Sequence, residues 1–313
     1  MCDLLGITLK DEKCRISGTN NFLGLTVTFP ARVNNYTLTI SLTPDKSVKW
    51  KRILDNVICD RTISHAVLEW VIGRLWFAQN AVFARFARCM LQPLYAKLYS
   101  APYYMNIHGK TPDTFQFWPD ALTMLPPRVI SKRVNRPEFI LYTDASFENG
   151  SGMLGAILFD KTAPLAGGKR VTDSILSSPS TPAMIELFPR TSTIFGLELI
   201  AVTMAIYQLR FKLLGKSAVV FVDNNAVLGA IAKGQTAGNP AHGFISSMWM
   251  IAATLSMSLW FERAPTGVNI ADLPTRFRTP DFPIKNESGY IGLDEWVQFT
   301  NRVFPHRSSK RVV

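Results

Sequence analysis

The chain lacks several of the features by which secreted, zinc-held or membrane proteins declare themselves. Its 313 residues include only four cysteines, Cys2, Cys14, Cys59 and Cys89, none in CxxC spacing and none set with a histidine at zinc-ligand spacing. That excludes a disulfide framework and a zinc finger, and reads as reduced thiols in an intracellular protein. The N-terminus, MCDLLGITLKDEK, has no basic stretch followed by a long apolar run, so no secretory signal is expected. No internal repeat or low-complexity tract is present. One stretch lacks charge: no Asp, Glu, Lys or Arg occurs from Gly234 to Phe261. Its centre, HGFISSMWMIAATLSMSLWF (242–261), has about the 20 residues that cross a bilayer. Ser246, Ser247, Ser256 and Ser258 dilute its apolarity, and it is read as a buried helix running into a strand, not as a membrane span.

What is present is globular: 47% hydrophobic and 18% charged residues, at a length suited to about two domains. The net charge of +11 is uneven, with +9 in residues 1–137, zero in 138–276 and +2 in 277–313. A basic excess of this kind suits a polyanionic partner, most simply nucleic acid.

Along the chain, Leu23, Leu25 and Val27, then Tyr36, Leu38, Ile40 and Leu42, alternate around Asn34-Asn35 and predict a hairpin. Trp50, Ile53, Leu54, Val57 and Ile58 share one helical face. Val67, Leu68, Val71, Ile72, Leu75 and Trp76 continue the helical spacing, with a break at Asn80 and a helix end at Pro93. Residues 1–100 are read as one mostly helical unit and 101–137 as an irregular connector. Residues 138–276 alternate strands and helices: strands 138–145, 152–159, 218–223 and 258–263, helices 194–214 and across 225–256, and a short helix from about Asn269. Residues 161–192 leave no clear element. This alternation predicts an α/β unit, a mixed sheet covered by helices. Residues 277–313 form a tail with a helix expected at Leu293–Val303.

Four acids stand inside otherwise apolar elements, where an uncompensated carboxylate is costly. Asp144 lies within the first strand, in YTDAS. Glu198 borders the apolar face made by Phe195, Leu199, Val202 and Ile206. Asp223 ends the strand of AVVFVDNN. Asp272 opens the last short helix in TGVNIADLPTR. Each has a structural alternative: Asp144 as a strand end or a structural ion pair, Asp223 as a helix cap, Asp272 as a salt bridge to Arg276 at helical spacing, Glu198 as a solvated helix residue. Taken together, one acid per element is what a Mg²⁺ site built on a sheet and its covering helices requires, because Mg²⁺ takes hard oxygen ligands.

The segments YTDAS, GLELIA, FVDNNAV and PTGVNIADLPTR resemble the four motifs of the RNase H domain of retroelement reverse transcriptases. In style they are similar to DIRS-like tyrosine-recombinase retrotransposons and hepadnavirus polymerases, whose RNase H domains end in a Pro-x-x-x-Asn-x-Ala-Asp-x-x-(Ser/Thr)-Arg signature. Upstream, LLGITLKDEKCRISGTNNFLGLTVTF, the helix at 46–60 and VIGRLWFAQNAVFARFARCMLQPLYAKL resemble the palm end, thumb and connection of those enzymes. The resemblance spans roughly residues 3–276 and implies an RNase H-like α/β fold, a mixed five-stranded sheet flanked by helices, preceded by a mostly helical thumb/connection-like region. It implies that Asp144, Glu198, Asp223 and Asp272 are catalytic and ligate two Mg²⁺ ions, with Mn²⁺ as a substitute. The implied reaction is cleavage of the RNA strand of an RNA–DNA hybrid, leaving a 3′ hydroxyl and a 5′ phosphate.

Two features depart from that pattern: no histidine approaches the last aspartate, and no basic protrusion exists in the neutral unit 138–276. Hybrid binding is therefore assigned to Lys49, Lys51, Arg52, Arg74, Arg85, Arg88, Lys132, Arg133 and Arg136, with Asn224 and Asn225 beside Asp223. No two aspartates are adjacent anywhere in the sequence, so the paired-aspartate motif of a polymerase palm is missing and no polymerisation is expected from this chain. The chain starts where the family's polymerase has ended its catalytic hairpin. It is expected to be a fragment, to work beside a separate polymerase chain, or to be a retroelement-derived structural subunit, or one that binds structured RNA, in a larger ribonucleoprotein assembly. No membrane partner is expected, and the expected compartment is intracellular: nucleus, cytoplasm or an organelle.

Overall fold

The computed structural model describes residues 18–29, 37–83, 87–100, 103–107, 111–131, 137–165, 171–234, 236, 239–278, 283–290, 292, 294–296 and 298. In the first part these form β1 (Thr19–Phe22), β2 (Leu25–Thr28), β3 (Thr37–Leu42), α1 (Pro44–Asp60), β4 (Thr62–Ser64), α2 (His65–Ala78), α3 (Arg88–Ser100), β5 (Tyr104–Asn106), α4 (Thr111–Met124) and β6 (Arg128–Ser131). The expected hairpin is β2 against β3, pairing Leu25 with Leu42 and Thr28 with Thr39; its Asn34-Asn35 turn lies outside the described residues. Leu23, expected in a strand, instead sits with Gly24 in a two-residue turn, both at positive φ, which adds β1 to the sheet.

The apolar stripe of α1 buries Trp50, Leu54 and Val57. In α2 the stripe is narrower than its pattern: Leu68, Val71, Ile72 and Leu75 are buried, whereas Val67 and Trp76, each roughly 100° round from the seam, are exposed. At Asn80 the helix opens into a π-turn over Gln79–Phe83, and the Asn80 amide donates to the Trp76 carbonyl at 2.9 Å. Pro93 does not end a helix; it lies inside α3. It falls within the second turn, where its missing N–H removes one bond near a start already short of partners.

Residues 101–137 are not an irregular connector. They carry β5, paired with β4, and β6, paired with β3. They also carry α4, which buries Phe115, Phe117, Trp118 and Ala121 and packs on α1. Pro112 and Pro119 hid the helical spacing of 115, 118 and 121. Pro112 stands at the helix start, where proline is tolerated.

The second part comprises β7 (Phe139–Glu148), β8 (Ser151–Asp160), β9 (Thr172–Pro179), α5 (Pro182–Glu186), α6 (Thr193–Gln208), α7 (Arg210–Leu213), β10 (Ser217–Val222), α8 (Asn225–Lys233), α9 (Asn239–Thr254), β11 (Ser258–Arg263), α10 (Asp272–Thr275) and β12 (Glu287–Ser288). β7, β8 and β9 are antiparallel neighbours, β10 runs parallel to β7 on the other side, and β11 parallel to β10. This mixed sheet with helices on its faces is the expected RNase H-like architecture. It has six strands, not five, because β12, from the presumed tail, pairs in parallel with Ile175 and Leu176 of β9. The β7–β8 hairpin closes through Asn149-Gly150, both at positive φ, the dipeptide that a two-residue turn of primed type demands.

One face of the sheet is covered by α6, whose residues Gly196–Tyr207 are all buried. Arg190–Gln208 is the one segment among the described residues long and apolar enough to cross a membrane, and 72% of that window is buried inside the fold. The uncharged stretch 242–261 divides into α9 and β11, a helix running into a strand. On the other face Ile157, Phe159 and Ile175 form a second, smaller core with Ile140, Tyr142, Ile270 and Ile284.

The main core is continuous from α1 to α9. Gly234 at the end of α8 stands so close to Cys89 of α3 that an added Cβ would lie 3.0 Å from its sulfur. Within the expected helix Leu293–Val303, the described residues Asp294–Trp296 and Gln298 are helical. Trp296 is buried against the rings of Tyr207 and Phe244.

Candidate active site

The strand register brings two of the four acids side by side. β7 and β10 pair Tyr142 with Phe221. Two residues further along each parallel strand come Asp144 and Asp223, at the same step of neighbouring chains. Asp144 is buried within β7, opposite Gly155 of β8. Gly155 is required there: a Cβ would stand 2.7 Å from Thr275 Cγ2 and 2.8 Å from the Ala271 carbonyl oxygen. The space it leaves lets α10 lie flat on the sheet.

The approach to α10 is pinned from both ends. Buried Asn269 donates its amide to the Thr143 carbonyl at 3.0 Å and accepts from the Ala271 N–H. Ser146 and Ser177 donate to the Thr275 and Pro274 carbonyls. The Thr275 hydroxyl lies 3.0 Å from Asp144 Oδ2 and 2.9 Å from the Asp272 carbonyl. In this way the last motif and the first strand become one rigid unit.

Glu198 enters from the other face, in the second turn of α6, and is buried. It is not a solvated helix residue. The amide of Asn224 donates to Glu198 Oε1 at 3.0 Å, while its Oδ1 accepts from the N–H groups of Ala226 and Val227. Asn224, not Asp223, is therefore the cap of α8, which removes the capping role as an explanation for Asp223. Two carboxylate oxygens, Glu198 Oε2 and Asp223 Oδ1, are buried without an N–H or hydroxyl donor, and Glu198 faces the carboxylate of Asp223 instead. Buried acceptors left in this condition are rare and costly.

The electrostatics agree. Burial pushes Asp144 up to about 7, with the charges of Asp223 and Asp272 adding to the rise and the Thr275 hydroxyl opposing it. Burial likewise raises Glu198, to about 8. The Asn224 amide opposes that rise, and the neighbouring charges of Asp223 and Asp144 add to it. These acids crowd one region, and the cation that acts on Asp144, Arg276, is already bonded to Asp272.

Asp272 stands apart. Both its oxygens face Arg276 Nε, at 2.7 and 2.9 Å, in a half-exposed i,i+4 pair. Among the described residues no group of three or more His, Cys, Asp or Glu side chains is closed tightly enough to hold a metal ion as it stands. The donor set nevertheless suits a hard divalent cation: Glu198 Oε2 and Asp223 Oδ1 are orphaned oxygens, and Asp144 lies beside them. Asp272 joins only if it releases Arg276.

The remaining candidates are scattered. Lys49 and Arg52 are exposed on α1, and Lys51 pairs with Asp55 at 2.6 Å. Arg74 lies over the Trp70 ring and donates to the Trp70 carbonyl, so it is packed and not free on a polar face. Arg88 is exposed at the start of α3, and Asn225 at the start of α8. Arg85, Lys132, Arg133 and Arg136 lie outside the described residues. Sequence reasoning missed the supporting groups Thr275, Asn269 and Gly155 and the double role of Asn224. The first two stand inside the quoted motif TGVNIADLPTR, at spacings that an acid-centred reading passes over.

No protein-family model and no curated protein matches the chain. Solved structures do. An RNase H1 from a compost metagenome, LC11, solved in complex with an RNA/DNA hybrid, is 18% identical over 45% of this chain and 95% of its own, with a TM-score of 0.35. RNase H1 of the halophilic archaeon Halobacterium salinarum is 12% identical over 42% and 89%, with a TM-score of 0.31. A foamy viral protease–reverse transcriptase, solved in complex with double-stranded DNA, is 16% identical over 80% of this chain and 46% of its own, with a TM-score of 0.30.

Proposed function

We propose that this chain is a Mg²⁺-dependent endonuclease of RNase H type that cuts the RNA strand of RNA–DNA hybrids, derived from a retroelement of DIRS-like or hepadnavirus type. The observation that carries the reading is the pair of orphaned buried oxygens, Glu198 Oε2 and Asp223 Oδ1, beside Asp144. A protein that only needed the fold would gain nothing by keeping two buried acceptors without donors.

Glu198, Asp223 and Asp144 would hold the metal, with Asp272 completing the set. When bound, Mg²⁺ supplies the charge that activates a water and stabilises the leaving oxygen of a phosphodiester. The chain's own groups set the stage. Asn224 fixes Glu198 by one oxygen and leaves the other for the cation. Thr275 holds Asp144 in place. Asn225 offers an exposed amide at the start of α8. The neutral sheet unit contributes no cationic excess, so Lys49, Arg52 and Arg88, with Arg85, Lys132, Arg133 and Arg136, are assigned to the hybrid's phosphates. Lys51 and Arg74 belong to the same set but are already engaged by Asp55 and Trp70. The chain would act inside the cell, in nucleus or cytoplasm, beside a polymerase chain or within a larger assembly.

The test is cleavage of a labelled RNA–DNA hybrid by the purified full chain with Mg²⁺ or Mn²⁺, alongside thermal melting with and without Mg²⁺. The expected result is cutting of the RNA strand alone, with 3′ hydroxyl and 5′ phosphate ends, and a Mg²⁺-dependent rise in Tm that Asp223→Asn removes. A protein that binds hybrid, never cuts it and gains no stability from Mg²⁺ refutes the enzyme reading. The alternative, a structural or RNA-binding subunit without catalysis, has one observation in its favour: Asp272 is already satisfied by Arg276.

A further inference from the structure

Three of the most exposed aromatic rings among the described residues stand within six positions. Tyr99, Tyr103 and Tyr104 are 82%, 81% and 79% exposed. Their backbone is fixed although their rings are not buried. Tyr99 occupies the last turn of α3, its ring stacked on that of Tyr95 at 6.5 Å and 15°. The Tyr103 carbonyl accepts from the His65 N–H at 2.8 Å. Tyr104 pairs with Ser64 in the β4–β5 ribbon, and the next residue, Met105, is buried beneath it. With the backbone fixed, only the ring torsions of Tyr103 and Tyr104 remain to be ordered when something covers them.

The surrounding sequence says what kind of thing that is. From Trp70 to Pro112 there is no Asp or Glu, while five Lys or Arg residues occur there, Arg88 and Lys97 among them. Three tyrosines in an acid-free, basic segment match the two requirements of a single-strand platform. Cations attract the phosphates, and flat rings stack on bases whatever their sequence. We infer that Tyr99, Tyr103 and Tyr104 form a stacking platform for unpaired nucleotides, a single-stranded segment adjoining the duplex that the chain binds. The inference concerns binding alone and is independent of whether the chain cuts.

The test measures the affinity of the full chain in EDTA, at one fixed salt concentration, for a blunt RNA–DNA hybrid and for the same hybrid with a single-stranded extension. Two variants are compared, one with all three tyrosines changed to Ala and one with all three changed to Phe. The wild type is expected to favour the extended hybrid. The Ala variant should lose that preference by about tenfold or more, since one stacked base alone is worth about fivefold or more. The Phe variant, which keeps the rings, should retain it. Equal affinity for both hybrids, or a preference that survives the Ala changes, overturns the platform. So does a Phe variant as weak as the Ala variant at an unchanged Tm. A mass in solution that rises with concentration, and falls to monomer in the Ala variant, would make the rings a contact between copies and equally overturn it. Failure of hybrid cleavage leaves these outcomes untouched, and a cutting protein without extension preference refutes the platform alone.

Discussion

The two parts of the molecule keep their charge in opposite places. In the part that ends at β6 the charged groups stand in water: Lys49, Arg52 and Arg88 are exposed and the excess is positive. In the sheet unit the charges balance overall, but the acids at its centre, Asp144 and Glu198, are buried and pushed up towards neutral pH. Exposed cations attract a polyanion at little cost to folding. Buried acids are expensive and make sense where a cation is to be drawn in. Both parts share one core, so what binds and what would react are held at a fixed separation. Substrate grip and chemistry should therefore be separable by mutation.

The largest expected effect comes from Asp223→Asn. It removes one of the orphaned oxygens' charge, and cleavage should fall about 10³-fold, the equivalent of a few kcal/mol at tenfold per 1.4 kcal/mol. Hybrid affinity in EDTA should stay within about twofold. A parallel loss of affinity would collapse the distinction between the two parts.

The converse variant, with Lys49, Lys51 and Arg52 all changed to Ala, should weaken hybrid binding and flatten its salt dependence by up to about 0.9 in slope per lost phosphate contact. Lys51 should contribute least, because Asp55 already holds it. The rate of cutting at saturating hybrid should not change. A log–log plot of affinity against salt, with single-turnover rates, checks both.

A third expectation concerns pH. The folded pKa values of Asp144, about 7, and of Glu198, about 8, lie above the ordinary values of 3.8 and 4.5, so the folded state binds protons more tightly than the unfolded one. The stability this provides is full below about pH 4 and is lost as pH rises through 7 and 8. In EDTA the Tm should be lower at about pH 9 than at about pH 5.5 by several degrees, at roughly 2–4 °C per kcal/mol. Mg²⁺ should restore it at the higher pH. A Tm that climbs with pH in EDTA would refute the crowding of acids. Gly155→Ala should cost about 1–3 kcal/mol, seen as a lower Tm, since its Cβ meets the Ala271 carbonyl oxygen and α10 must shift.

The smallest effect is expected from Thr275→Val, about 1 kcal/mol or less, with the acid limb of any pH–rate profile moved upward, because the hydroxyl that favours ionised Asp144 is gone.

Much of the sheet unit was legible because its signals are local. Alternation and the Asn149-Gly150 turn mark β7 and β8, and the apolar run of β10 ends at Asp223. β9 was not legible: Thr172–Pro179 carries four Ser or Thr residues and no clear alternation, and its burial comes from neighbours distant in sequence. α4 was hidden by its prolines, and β12 by its length of two residues. At the site, the acids stood out as charges among apolar residues. Their supporters did not, because Asn269, Thr275 and Gly155 are ordinary polar or small residues until the fold places them against Thr143, Asp144 and Ala271. That Arg276 holds Asp272 was readable from the i,i+4 spacing, but spacing alone does not say whether such a pair forms.

β12 is two residues long, yet it lies along β9, which would otherwise be the last strand of the sheet on that side. An uncovered strand of that kind offers a row of free N–H and C=O groups to any second chain that passes. Glu287 and Ser288 occupy the row at Ile175 and Leu176, and Gln208 of α6 fastens Gly289 behind them through a 2.8 Å hydrogen bond. Trp296 then sinks between Tyr207 and Phe244. A version of the protein trimmed at Arg278, the natural place to cut if the unit is defined by its acidic motifs, would keep every candidate ligand. It would also uncover β9 and the ring pocket together, and would be lost to self-association before its chemistry could be measured.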